Sequence, residues 1–122
     1  VTDADSVKTV IDTVLDDFNG RLDIFVANAG VPWTQGRMID GELSHYHKVT
    51  SIDFDGVFYC ARAAGAVWRR QYETGLTTRS EKLQNYRTGS FIATASMSGH
   101  IVNIPQLQAA VSISFRYISM SG

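Results

Sequence analysis

A chain of 122 residues, 44% hydrophobic and 19% charged, has the composition of one soluble globular domain; it excludes intrinsic disorder and offers no case for two domains. No apolar run approaches the ~20 residues of a membrane helix and no basic leader opens the chain, so the expected address is cytoplasmic, with no membrane partner. The formal net charge of −1 conceals an asymmetry, because residues 1–60 carry ten acids and four bases whereas 61–122 carry two acids and seven bases.

Such a division can steer a phosphorylated ligand toward the later half, and it is equally what a solvated polar face gives. The chain opens on Val1, which places the expected start of translation upstream. The lone Cys60 has no internal disulfide partner, and within the apolar run 57–66 it reads as a small buried hydrophobe.

In chain order, Val7, Val10, Ile11, Val14, Leu15 and Phe18 follow the spacing of a helix with one buried stripe, predicted over about residues 3–18. Thr2 or Asp3 can cap its start and Asn19-Gly20 gives a left-handed stop. Residues 23–27 (Asp-Ile-Phe-Val-Ala) form a short β-prone run, as expected of a strand buried on both faces. From Leu43 to about Tyr72 the helical period returns through Val49, Ile52, Val57, Phe58, Ala61, Ala64, Gly65 and Trp68. We read a short helix, with Ser44 as a possible cap, running into a long one, with Gly56 as a weak point. Residues 74–88 are polar and aperiodic, a surface loop with a helical turn around Lys82. Residues 90–95 (Ser-Phe-Ile-Ala-Thr-Ala) give the second strand, and a right-handed crossover is expected between the two. The last residues alternate Val111, Ile113, Phe115 and Tyr117 against Ser112, Ser114 and Arg116, which suits a further strand.

Two segments sit where these strands hand over to loops, the place where open parallel sheets bind ligands. Ala27-Asn28-Ala29-Gly30 has small side chains that admit a ligand to the backbone, and Gly30 permits a strained turn; read alone, Asn28 and Gly30 equally satisfy an ordinary turn. Ser96, in Ser96-Met97-Ser98-Gly99, can hydrogen-bond a substrate hydroxyl or carbonyl, or cap the next segment. His45 and His47 are two apart and point to different sides of a helix, so no metal site is read. His100 near Ser96 lacks the Gly-x-Ser-x-Gly elbow of a hydrolase. Arg69, Arg70, Arg79, Lys82 and Arg87 lack the interleaved aromatics of a nucleic-acid module, and no nucleic-acid partner is expected.

Together the Asn-Ala-Gly and Ser-x-Ser-Gly segments, with Ile52-Asp53-Phe54-Asp55-Gly56 and the run 96–106, resemble the short-chain dehydrogenase/reductase family, and within it fungal members that act on ketoses and polyols. The resemblance covers Val1 to about Ala110. It implies an α/β fold, a partial Rossmann-type doubly wound parallel sheet of two central strands with flanking helices. Residues 1–110 would be the central part of a single NAD(P)-binding domain and 111–122 an aberrant tail. It further implies NADP or NAD as cofactor, a sugar or polyol as substrate, Ser96 as the catalytic serine, and Asn28, Ala29, Gly30 and Arg62 on the cofactor side. Arg62 is also what any solvent-facing helical arginine looks like. Asp53 stands where the family carries an asparagine that organises a proton-relay water.

Three departures accompany the resemblance. The positions of the family's Tyr-x-x-x-Lys pair hold Val111 and Phe115, and no other tyrosine here is followed by a lysine four residues later. The Gly-rich pyrophosphate turn does not occur in the sequence. An aspartate expected before Val1 is likewise outside it. These imply a piece of an oxidoreductase, truncated at both ends and inactive as it stands. The alternative is a non-catalytic module that forms a homo- or hetero-oligomer with an intact relative through the long helix. Val-Ser can be encoded by GTAAGT, a common intron start, so unspliced sequence is one origin for the tail.

Two neighbouring strands that each lack their other partner leave open edges, and we expect marginal stability for the isolated chain. Chemical denaturation over a range of protein concentrations checks this; cooperative unfolding of the monomer at low concentration would contradict it.

Overall fold

The first helix begins where a carboxylate is free to cap it. Asp3 sits in extended backbone, and its side chain accepts from the Asp5 and Ser6 amides at 3.1 and 3.0 Å, so α1 runs Ala4–Asp17. These are the first elements of a computed structural model that describes residues 1–96, apart from the side chain of Met38. The alternating run 111–117, His100 and the Val111 and Phe115 positions lie outside the described residues. Val7, Ile11 and Leu15 form the buried stripe of α1. Val10 and Phe18, counted in the predicted stripe, are 56% and 66% exposed. Val10 lies one residue, about 100°, off the line of contact, and Phe18 lies past the end of the helix. Asn19 and Gly20 take the expected left-handed conformation (φ 54° and 77°), and the Gly20 amide donates to the Leu15 carbonyl.

The chain then enters β1 (Ile24–Ala27), which pairs in parallel with β2 (Ser90–Ala93) in the register Ile24–Ser90, Phe25–Phe91, Val26–Ile92 and Ala27–Ala93. This is the expected α/β arrangement of two adjacent parallel strands. Phe25 and Phe91 stack at 5.9 Å, and Trp68 meets Phe91 edge-on. One cluster of the core joins Ile11, Leu15, Leu22, Ala64 and Trp68; the other joins Val7, Ala27, Val57 and Cys60. Both helices therefore lie on the face that carries the two phenylalanines. The expectation of strands buried on both faces does not hold: Ile24, Val26 and Ile92 are 60%, 54% and 44% exposed, because nothing among the described residues covers the other face. Cys60 is buried as predicted, and burial pushes its thiol up.

Between the strands, α2 (Leu43–Thr50) leads through a π-helical turn (Ser51–Asp55) into α3 (Gly56–Thr74), which ends at Gly75 with φ 66°. The predicted short and long helices are both present, and the break falls just before Gly56. That glycine is itself a close approach, since a Cβ there would lie 2.9 Å from the Val1 side chain. The wide turn resets the helical phase. Val57, Ala64 and Trp68 remain buried, whereas Phe58 turns outward and is 56% exposed. Ser44 lies inside α2 and does not cap it; Glu42 holds the cap position without a side-chain bond.

Residues 75–89 correct the predicted helical turn. Leu76 and Lys82 form an antiparallel bridge around a tight turn, in which buried Thr77 accepts from the Arg79 and Glu81 amides through Oγ1 and Ser80 takes φ 63°. The turn is tied to the end of α1 through the Thr78 amide, which donates to the Gly20 carbonyl at 2.9 Å.

Gln71 joins α3 to the sheet. Its side chain is fully buried; Oε1 accepts from the Leu22 amide and Nε2 donates to the Leu22 carbonyl, both at 2.8 Å. Replacing it by leucine leaves both backbone groups unpaired in the interior. Gln71→Leu is expected to cost about 2–4 kcal/mol, read as a lower denaturation midpoint.

Candidate functional site

The parallel register sets the two strand-end segments side by side. Ala27 pairs with Ala93, so Asn28 and Thr94 leave the sheet together. The Thr94 amide donates to the Ala27 carbonyl at 3.0 Å, and the Thr94 hydroxyl donates to Asn28 Oδ1 at 2.7 Å. Three residues after Asn28, the Val31 amide donates to Asp53 Oδ1 at 2.9 Å, from the π-helical turn. The segment 28–31 is thus held at both ends, while Ala29 and Gly30 between the tethers are exposed. Gly30 is not in the left-handed region, which overturns the expectation of a strained turn there. A Cβ on it would make ordinary contact, 3.5 Å, with the Asp53 carboxylate.

Burial pushes the Asp53 carboxyl above its ordinary value, and the Val31 amide acts in the opposite sense without cancelling it. Beside the turn lies an apolar hollow of about 100 Å³ lined by Val1, Ala27, Asn28, Ala29, Ile52 and Val57. That is well under the ~300 Å³ of a complete small-molecule site.

Ser96 follows Thr94 by two residues, beyond the carboxyl end of β2, and is exposed. Asn28, Ala29, Gly30 and Ser96 therefore all leave the carboxyl end of the same strand pair. Arg62 does not join them. It is exposed on α3, about half a turn from the stripe containing Cys60, Ala64 and Trp68, and among the described residues it has no hydrogen bond or ion pair. His45 packs on Trp33 with ring centroids 4.8 Å apart, and its Nε2 accepts from the Thr34 amide at 3.3 Å; His47 lies edge-on to Tyr46. The five basic residues near the 75–89 segment are not buried, and Arg79 donates to the Asp16 carbonyl at the end of α1. Sequence reasoning missed Thr94 as a partner of Asn28 and Asp53 as the acceptor for Val31. The signal for Thr94, a hydroxyl one residue past the second strand, becomes visible only once the register is known.

Parallel strands joined through a helix, with small and polar residues gathered at their carboxyl ends, define an open α/β sheet of the kind that binds ligands at that edge. The family model described as enoyl-(acyl carrier protein) reductase matches residues 1–114, and the chain belongs to the short-chain dehydrogenase/reductase family. It is 53% identical over 114 residues to an L-xylulose reductase of Hypocrea jecorina, covering 93% of this chain and 40% of that protein. To a probable NADP-dependent mannitol dehydrogenase of Yarrowia lipolytica it is 49% identical over 110 residues, 89% of this chain and 34% of the relative. The NADPH-dependent 3-quinuclidinone reductase of Rhodotorula rubra superimposes with a TM-score of 0.70 at 36% identity, covering 91% of this chain and 36% of that one. The chain thus spans about two-fifths or less of the length of these relatives, and the expected resemblance to fungal ketose and polyol reductases is borne out.

The Asn28–Thr94 tether is open to measurement. A double-mutant cycle of Asn28→Ala and Thr94→Val is expected to give a coupling of about 0.5–1 kcal/mol in denaturation experiments, small because both side chains are exposed.

Proposed function

We propose that the chain carries the central part of the cofactor cleft of an NADP-dependent oxidoreductase that reduces a ketose- or polyol-type carbonyl. The single observation that carries this reading is the segment 28–31, pinned by Thr94 and Asp53 and bare between them. A backbone stretch with small side chains, held at both ends at the carboxyl edge of parallel strands, fits a flat group laid against it. Asn28, Ala29 and Gly30 would line that side, and Ser96, with its hydroxyl just past β2, would donate to the substrate carbonyl and orient it. When bound, the nicotinamide supplies hydride to that carbonyl carbon. The names of the relatives, a xylulose reductase and a mannitol dehydrogenase, support the substrate class.

Proton delivery is where this chain departs from the reading. Val111 and Phe115, at the family's tyrosine and lysine positions, carry no transferable proton, so a general-acid contribution of about two to four powers of ten in rate is missing. The chain alone is therefore proposed to bind NADPH weakly and not to turn over. A second reading is favoured by the outer face of α3, where Phe58 and Tyr72 are 56% and 69% exposed beside Arg62 and Gly65. Such a face suits pairing with an intact relative, in which the chain is a non-catalytic partner.

NADPH titration followed by fluorescence, with NADPH oxidation across a panel of ketoses, tests the first reading. Gly30→Val is expected to weaken binding about tenfold, a loss of about 1.4 kcal/mol, because the added side chain covers the bare backbone, its Cβ meeting only ordinary contact with Asp53. Absence of binding in the unmodified chain, or binding indifferent to Gly30→Val, overturns the cleft assignment. Turnover at the rate of an intact reductase overturns the loss of activity, and coelution with a co-expressed relative without turnover favours the second reading.

A further inference from the structure

We infer that Asp53 is a positioning residue whose carboxylate, presented by the π-helical turn, holds the Val31 amide and so sets the conformation of the Asn28–Gly30 segment in a pH-dependent way. The inference rests on the proposed cofactor cleft only for its consequence; the tether itself is a property of this chain.

Geometry carries it. The turn Ser51–Asp55 interrupts a helix that otherwise continues from α2 into α3, and an i→i+5 turn widens the helix and redirects one side chain relative to the regular stripe. Here that side chain reaches residue 31, 22 positions earlier in the chain, and accepts its amide at 2.9 Å. Val31 follows Gly30 directly, and Gly30 lies close enough that a Cβ there would touch the same carboxylate oxygen at 3.5 Å. The opposite end of the segment is tied by Asn28 to Thr94. Of the two tethers, the Asn28 end is made by neutral groups and the Asp53 end is charge-assisted, hence stronger while the carboxylate is ionised.

Among the described residues that carboxylate has no charged partner. The loop that faces it contributes the uncharged backbone of Gly30 and Val31, and Val1, packed on Gly56, carries the N-terminal ammonium; on its own helix the nearest charges in sequence are Lys48 and Asp55, and among the described residues no ion pair to Asp53 forms. Burial is the larger influence and raises the folded-state value above the ordinary carboxylate range. The sign follows from linkage. A raised folded value means that the protonated form favours folding, a stabilisation fully present below the unfolded value and lost as pH rises through the folded one. Once ionised, the Asp53 carboxylate therefore lowers the stability of the fold while it strengthens one hydrogen bond to the site segment.

Amide hydrogen exchange on the 122-residue chain, with Asp53→Asn and Asp53→Ala beside it, separates the possibilities. In the unmodified chain the Val31 amide is expected to be protected at neutral pH and to lose about fivefold to tenfold of that protection, beyond the intrinsic change in exchange rate, as Asp53 protonates. Asp53→Asn is expected to abolish the pH dependence at Val31 while the global denaturation midpoint at neutral pH stays or rises. Asp53→Ala is expected to speed exchange at residues 29–31 alone. Should the Asp53→Ala variant fail to fold, the asparagine variant and its pH profile still decide. Unchanged Val31 exchange in both variants, a pH dependence that survives Asp53→Asn, or a uniform acceleration of all amides overturns the inference. Failure of NADPH to bind would overturn the cofactor reading and leave the Val31 result standing, so the two are distinguishable.

Discussion

The in-register parallel pairing of Ile24–Ala27 with Ser90–Ala93 is the constraint on which everything else in this chain depends. Parallel strands cannot be joined by a tight turn, so the intervening residues must cross over one face of the sheet, and here they do so mainly as α3. The crossover brings Trp68 and Ala64 onto Phe25 and Phe91, and α1 closes the same layer with Ile11 and Leu15. The pairing also decides the site. A shift by one residue would separate Asn28 from Thr94 and exchange the two faces of β2, sending Phe91 toward solvent and Ile92 toward the helices.

Stability and site draw on different parts of this arrangement. The packed clusters lie along the covered face, one of them reaching Ala27, and the Gln71 amide bonds lie toward the amino ends of the strands, where Leu22 precedes β1. The tethered segment 28–31 lies at the opposite, carboxyl ends. Its bonds, between Asn28 and Thr94 and between Asp53 and Val31, bury little apolar surface. They fix a short piece of backbone in place, and a change there reaches the segment without reaching the core.

Much of the framework was legible in the sequence because it depends on periodicity and local chemistry. The Val7–Ile11–Leu15 stripe, the Asp3 cap, the left-handed Asn19-Gly20 stop and the two β runs are all local signals, and all appear. What failed depended on partners distant in sequence. Whether Ile24 and Ile92 are covered is a question about a second layer, and whether Phe58 faces in or out depends on a π-helical turn that no apolar spacing announces. The strand-end residues Asn28, Gly30 and Ser96 were identified through their neighbours in sequence. Thr94, which completes the tether, carries its meaning only through register. The strain expected of Gly30 was an inference from residue type that its backbone conformation does not bear out.

The buried Gln71 amide has a consequence for how this chain tolerates changes of length. Its two bonds to Leu22 imitate the donor and acceptor that a neighbouring strand would offer at that point, so this one side chain adds a directional key to the apolar packing of α3 on the sheet. Inserting one residue into α3 ahead of Gln71 would swing the amide about 100° around the helix axis and advance it about 1.5 Å, out of reach of both partners. A change of length past Gln71, in the largely exposed 75–89 segment, leaves that key intact, whereas one ahead of it within α3 does not.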